Sequence, residues 1–136
     1  RAKVAWRLLP PAWIVSRRAV QEDVLLGCRI PANSILALSP YVMHRHPAYW
    51  EDPQRFDPDR FLPEKVEARP QYAYFPFGGG PRLCIGRDFA MMEAQLLLAS
   101  IAQHYRLDLV PGHTVEPEPM ITLRPKGGLP MTAHPR

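Results

Sequence analysis

Cys84 draws attention because of its surroundings: Phe77-Gly78-Gly79-Gly80-Pro81-Arg82-Leu83-Cys84-Ile85-Gly86, followed by a long apolar run. Three consecutive glycines and a proline make a loop that can lie flat and adopt positive φ. Cys84 stands just before a predicted helix start. Unpaired amides and the helix dipole favour negative charge there, which is the state a sulfur ligand to a metal needs. Arg82 can hold an anionic group with a charge-assisted hydrogen bond. Phe77 can cover the sulfur side and exclude water. Gly78 and Gly80 give the loop its freedom, and Gly86 leaves room for a flat ligand at the helix start. These are the properties of a thiolate–metal site. On haem iron a thiolate pushes electron density onto the metal and favours O–O cleavage. Backbone amides would tune the sulfur, and Arg82 would reach a propionate.

Spacing alone leaves other readings open. A lone cysteine is often just a small packed hydrophobe. A glycine-rich loop before a helix can bind phosphate, although the Lys-Ser/Thr ending of a nucleotide-binding loop is missing. A nucleophilic cysteine wants a histidine base, and His44, His46 and His104 are available. His44 and His46 read as structural rather than as ligands. Cys28, the only other cysteine, reads as a packed or partly exposed thiol on a hairpin. Two distant cysteines make neither a disulfide framework nor a zinc site.

The elements that must position this loop are unevenly distributed. Residues 1–9 fit the end of a helix stopped by Pro10-Pro11. Residues 13–20, 23–30 (broken at Gly27) and 35–39 read as strands of a small antiparallel sheet, with a turn at Pro31-Ala32-Asn33-Ser34. From Pro40 to Cys84 regular structure nearly disappears, apart from helical turns near 41–45 and 48–51. Prolines 53, 58, 63, 70 and 76 punctuate the stretch. So long an irregular segment is rare without a functional reason. Its aromatics (Trp50, Phe56, Phe61, Tyr72, Tyr74, Phe75, Phe77) predict that it is packed. Residues 86–104 form the strongest helix pattern. Ala90, Ala94, Leu97, Ile101 and Tyr105 make one stripe, and Phe89, Met92 and Leu96 a second. A helix apolar on two faces is expected to be buried in something large. Residues 107–110 and 120–124 read as strands.

Composition narrows the class. Hydrophobic residues make up 46% of the 136, so the chain is globular, and 17 prolines require many turns. The formal charge is +4, with no run of like charge that would mark a polybasic tail. Basic and aromatic residues are not interleaved on a platform, which argues against nucleic-acid binding. No stretch is apolar for long enough to span a membrane, and no signal peptide is visible. The start, Arg1-Ala2-Lys3-Val4, lacks an initiator methionine, and the chain reads as a fragment.

Residues 77–86 match the F-x-x-G-x-R-x-C-x-G pattern of the cytochrome P-450 family at every fixed position, and Ala90 and Glu93 match the A-x-x-E that commonly follows. Pro53-Gln54-Arg55-Phe56 resembles the family's P-x-R-F element, with Phe61-Leu62-Pro63-Glu64 after it. His44-Arg45-His46-Pro47 with Trp50 resembles the segment before it, and Arg7-Leu8-Leu9-Pro10-Pro11 the end of the E-x-x-R helix. The resemblance covers essentially the whole chain. It implies an α+β piece, the C-terminal part of the mainly α P-450 fold. Residues 1–39 would be a helix end and small sheet, 40–76 a meander, 77–86 the haem-binding loop, 87–105 a buried helix and 106–136 C-terminal strands.

The resemblance further implies a haem-thiolate monooxygenase that inserts one atom of dioxygen into an organic substrate. Haem b would be the cofactor and Cys84 the axial ligand of its iron. Phe77, Gly78, Gly80, Arg82 and Gly86 would form its cradle. Arg17 would hold the second propionate, or else be a solvated strand charge, with Arg18 as runner-up. Ala12, Trp13 and Ile14, together with Ile121 and Met120, would line a pocket for a small apolar substrate, or else be plain core. Electrons derived from NAD(P)H would arrive from a ferredoxin, flavodoxin or reductase domain. Arg82, Arg87 and Arg106 are candidates for its docking face, with scattered surface charge as the alternative. The location implied is cytoplasmic, of the soluble bacterial type, unless preceding sequence held an anchor. The distal acid–alcohol pair of this family is not in this sequence, so the isolated chain is expected to be inactive and to fold poorly. A non-catalytic or vestigial haem-binding fragment is the alternative.

One departure stands out. If Arg7 is the arginine of E-x-x-R, the glutamate position holds Val4. Arg7 and Arg55, the arginines of the family's buried ion-pair network, would then meet without their carboxylate. That costs several kcal/mol if they are desolvated. Either the first residues are not native sequence or this is a decayed copy.

Overall fold

The centre of the fold is built around charged and polar side chains as much as apolar ones. Arg7 and His44 are both at 0% exposure, beside Val4, Trp50 and Ala73, the buried hydrophobic side chains among the described residues. The computed structural model describes residues 2–136.

Helix α1 (Ala2–Leu8) ends where Pro10 and Pro11 remove backbone donors. Strand β1 (Val15–Arg18) pairs antiparallel with β4 (Ile35–Leu38), with Val15 opposite Leu38 and Arg18 opposite Ile35. Between them β2 (Asp23–Leu25) and β3 (Cys28–Ile30) form a hairpin of their own. Its turn places Leu26 and Gly27 at φ 50° and 79°. The single small sheet expected here is therefore two two-stranded sheets. The tight turn at Leu26-Gly27 folds the middle segment onto itself before it can reach β1 or β4. The expected strand over 13–20 shortens to Val15–Arg18.

Helix α2 (Pro40–Met43) is capped by Ser39, whose Oγ accepts from Val42 N. Two further turns appear in the meander that the sequence left irregular. One is a 3-10 turn, Pro58–Phe61, capped by Asp57; the other is α3 (Pro63–Glu67). Each opens with proline at the first helical position, where its missing N–H costs nothing.

The meander packs on aromatic rings. Trp50 donates from Nε1 to Ala73 O and lies 6.3 Å from both Phe61 and Tyr74. Phe61 and Tyr74 meet edge-on at 4.9 Å. The guanidinium groups of Arg69 and Arg7 sit over Trp50 at 4.2 and 5.1 Å. Phe56 and Tyr72, also expected as anchors, are 54% and 51% exposed.

Helix α4 (Arg87–His104) follows the Cys84 loop. Within this chain none of its residues is buried: Phe89, Met92, Leu96 and Leu97 are all more than half exposed. Among the described residues its main packing partners are α1 and β5, and they cannot cover two apolar faces. Beyond it, β5 (Tyr105–Leu109) pairs with β8 (Met131–Pro135), enclosing a hairpin of β6 (Pro117–Pro119) and β7 (Leu123–Pro125). Met120 and Ile121, expected within a strand, instead lie in the bend at the hairpin tip. Among the described residues no helix is long and apolar enough to cross a membrane.

Candidate functional site

The loop carrying Cys84 is closed by its own backbone. Cys84 N donates to Phe77 O at 3.0 Å, Gly78 N to Phe75 O at 3.0 Å and Leu83 N to Gly80 O at 3.0 Å. Arg87 N donates to Cys84 O at 3.3 Å, joining the loop to α4. Gly78 and Gly80 take φ of 74° and 63°, the left-handed region that side chains resist. Gly79 is needed for a different reason: a Cβ there would stand 2.4 Å from Tyr72 Cε1. At Gly86 a Cβ would stand an unstrained 3.9 Å from Cys84 Sγ, so this glycine keeps open the space beside the sulfur. The thiol of Cys84 is free and exposed, as is that of Cys28 on the β2–β3 hairpin.

Phe77 is seated by α1, where the Trp6 ring meets it edge-on at 5.1 Å. Arg82 is exposed. Arg17 lines an open cleft of about 700 Å³ together with Tyr72, Phe75, Gly78, Gly79 and Gly80. The fold thus brings a β1 arginine across to the glycine loop. Cys84 and Arg82 do not line this cleft. Arg18 instead donates to Asn33 Oδ1 at 2.7 Å, which ties it to the turn before β4. Arg87 and Arg106 are already ion-paired with Asp88 and Asp108, at 2.9 Å each, which dilutes any basic face they share with Arg82.

Behind the loop, Arg7 holds the scaffold through main-chain carbonyls. Nη1 donates to His44 O at 2.9 Å and Pro53 O at 2.7 Å, and Nη2 to Arg55 O at 2.9 Å. Its Nε is buried and without a partner. Burial depresses the Arg7 pKa to about 10, helped by repulsion from Arg60, Arg45 and Arg69. It remains a cation at neutral pH.

The expected pairing of Arg7 with the Arg55 side chain does not occur. Arg55 is exposed and contributes its carbonyl. The arginine that approaches Arg7 from within is Arg60. Its side chain is 11% exposed, its Nε is also unpartnered, and Asp57 Oδ2 is 3.7 Å away. The sequence carried the signal, because Pro58-Asp59-Arg60-Phe61 repeats the P-x-R-F spacing five residues after Pro53-Gln54-Arg55-Phe56. Proline at the first position of the 3-10 turn fixes the second copy so that Arg60 turns inward.

His44 extends the brace to the loop. While its carbonyl accepts from Arg7, its Nε2 accepts from Phe75 N at 2.9 Å, two residues before Phe77. Burial holds its pKa down, at about 4, so the imidazole is neutral. His46 Nδ1 accepts from Ala48 N at 3.2 Å and its ring lies 5.3 Å from Tyr49. Tyr74, its hydroxyl pKa pushed up by burial, donates to Lys3 O at 3.0 Å. No cluster of three or more His, Cys, Asp or Glu side chains that could hold a metal ion occurs among the described residues. A metal bound here would take Cys84 as a single protein ligand, and such a donor set fits a metal whose other ligands arrive with it. The exposed sulfur, the space left by Gly86 and the flat glycine loop fit a planar macrocycle.

Trp13 links the two segments expected to line a substrate pocket. Its indole Nε1 donates to Met120 O at 2.8 Å. Ile14 is 40% exposed and Ile121 is 97% exposed at the hairpin tip.

Comparison with known proteins supplies the family. Residues 5–130 match the family model for cytochrome P-450. The chain is 46% identical over 132 residues to cyclooctatin synthase of Streptomyces melanosporofaciens, covering 97% of this chain and 28% of that protein. It is 43% identical over 136 residues to a putative cytochrome P-450 of Mycobacterium tuberculosis, covering 93% of this chain and 29% of that protein. A cyanobacterial protein, CYP120A1, solved with retinoic acid bound, superposes with a TM-score of 0.92 at 31% identity, over 98% of this chain and 32% of its own. This chain belongs to the cytochrome P-450 family. It spans less than a third of the length of these relatives.

Proposed function

We propose that this chain is the haem-ligating part of a monooxygenase, with Cys84 as the proximal ligand of haem b iron. The observation that carries the reading is a free, exposed thiol at the mouth of a glycine loop locked by the Cys84 N to Phe77 O hydrogen bond, in a chain of this family. Bound there, haem would supply the dioxygen chemistry that inserts one oxygen atom into an organic substrate.

The residues of the chain have separate tasks in this reading. Cys84 supplies its sulfur, which is free and exposed beside the start of α4, to the iron. Phe77, seated by Trp6, keeps water from the sulfur. Arg82 and Arg17 pair with the propionates through charge-assisted hydrogen bonds. Arg7 and His44 hold the loop rigid from behind. Ala12, Trp13, Ile14 and Ile121 present apolar surface to a small organic substrate. A ferredoxin, flavodoxin or reductase domain delivers the electrons. The whole protein would be cytoplasmic.

The test is the reduced, carbon monoxide-bound spectrum of the full-length protein. Thiolate ligation gives a red-shifted Soret band, and Cys84→Ala abolishes it. A histidine-type spectrum refutes the assignment. The buried, unpartnered Nε of Arg7, one helical turn from Val4, favours one second reading: a haem-binding protein without turnover. That reading requires haem incorporation with no oxygenated product from any supplied electron donor.

A further inference from the structure

Residues 116–128 form a hairpin of β6 and β7. Cross-strand ion pairs, Glu118 with Arg124 at 3.1 Å and Glu116 with Lys126 at 3.2 Å, hold it together. Arg124, Glu116 and Lys126 are exposed and Glu118 is half-buried, so the pairs contribute little, and an isolated two-stranded hairpin is marginal in water. Among the described residues, two hydrogen bonds tie the tip to the body: Trp13 Nε1 to Met120 O and Leu123 N to Pro11 O, each 2.8 Å.

The other end of Trp13 is fixed. Its carbonyl accepts from Ser39 Oγ at 2.8 Å and from Tyr41 N at 3.4 Å. Ser39 also caps α2. A single residue therefore connects the start of α2, the segment after Pro11 and the hairpin tip. The tip it holds presents Ile121, 97% exposed, and Met120, 51% exposed. No charged residue lies at the tip or in residues 12–14, so a ligand contacting both segments is recognised by shape and apolar surface.

We propose that Trp13 is a positioning residue for substrate selectivity: its indole N–H latches the hairpin and so fixes where Ile121 stands against the ligand. This rests on the reading that residues 12–14 and Ile121 line the substrate side of a haem protein. The latch acts through the hairpin and needs no contact between Trp13 and the reacting atoms.

The experiment uses the full-length haem protein and two probes that bind haem iron: 4-phenylimidazole, which is bulky and apolar, and imidazole, which is small. Trp13→Phe keeps an aromatic ring and removes the donor. It is expected to weaken 4-phenylimidazole about five- to tenfold, the size of one lost hydrogen bond, and imidazole by a smaller factor. Ile121→Ala is expected to weaken the same probe, and the double variant to be no weaker than the weaker single one, because both act through one contact. Wild-type affinity in Trp13→Phe, or additive effects in the double variant, overturns the proposal. Should Trp13→Phe fail to incorporate haem, hydrogen exchange of the wild type decides. The Trp13 indole N–H and Leu123 amide are expected to be protected, and exchange at free-peptide rates overturns the latch. Absence of the thiolate band in the wild type refutes the haem-thiolate reading instead, and the same exchange measurement still decides the latch.

Discussion

Arg7 Nη2 donates to the main-chain carbonyl of Arg55 at 2.9 Å, while the Arg55 side chain lies exposed. A buried cation is satisfied here by carbonyl dipoles from His44, Pro53 and Arg55 and by the face of Trp50. Carbonyl oxygens carry no net charge, so the charge of Arg7 is solvated without being neutralised. Repulsion from Arg60, Arg45 and Arg69 persists, offset only by Asp57.

Arg60 and Arg55 should therefore behave differently on substitution. Arg60→Ala removes a side chain that donates to Asp52 O at 2.9 Å, an acceptor Arg55 N also uses at 3.1 Å, and that stands 3.7 Å from Asp57 Oδ2. It is expected to destabilise the holoprotein by about 1–1.5 kcal/mol. Arg55→Ala keeps the carbonyl that Arg7 uses and is expected to stay within about 0.5 kcal/mol. Urea midpoints of the two variants check the contrast.

Val4→Glu places a carboxylate one turn before Arg7 on α1, on the same helix face. Val4 is 1% exposed and the Arg7 Nε lacks a partner. The expected outcome is a higher haem content per chain and a melting temperature raised by several degrees, as the orphan donor gains a charged acceptor. Absorbance of bound haem against total protein measures the first, and a thermal scan the second.

His44 makes stability pH-dependent in a defined window. Its pKa falls from 6.5 to about 4 on folding because burial disfavours the imidazolium. Between these values the unfolded chain binds the proton and the folded one does not, so stability rises with pH. The contribution is complete above about pH 6.5 and is lost as pH falls toward 4, up to about 3 kcal/mol. Urea unfolding at pH 5 and pH 7 reads the difference. His44→Asn, which offers an uncharged acceptor to Phe75 N, is expected to flatten this part of the profile.

Gly79→Ala should loosen the Cys84 loop, since the new Cβ would stand 2.4 Å from Tyr72 Cε1. The expected result is reduced haem retention. Tyr72→Ala in the same chain should restore much of it, because Tyr72 is 51% exposed and its ring is the obstacle. Gly78→Ala and Gly80→Ala should not be rescued by Tyr72→Ala. Their cost is about 1–2 kcal/mol of left-handed backbone strain rather than a clash. Haem release to a competing acceptor protein compares each glycine variant with and without Tyr72→Ala.

Local chemistry made several features legible in sequence. Pro10-Pro11 ends α1, the Cys84 loop needs glycine at positions 78 and 80, and α4 follows from its apolar periodicity. Each rests on interactions between residues close along the chain. The α+β character and the family were readable for the same reason, because the loop pattern is contiguous. What sequence could not give was set by contacts distant along the chain. Arg55 and Arg60 stand in the same P-x-R-F spacing, and only the path of the meander decides which one turns inward. Gly79 reads as a spare glycine until Tyr72 is seen over it. Met120 and Ile121 read as strand until a hydrogen bond from Trp13 makes them a latched tip. The two apolar faces of α4 were legible, but whether they are covered depends on which partners surround them, and this chain leaves them open. The sequence by itself determined the Cys84 loop and its helix, since local backbone preference and periodicity suffice for both. Only the tertiary structure decided which buried groups brace that loop, because satisfying a buried charge depends on which carbonyls the rest of the chain brings within reach.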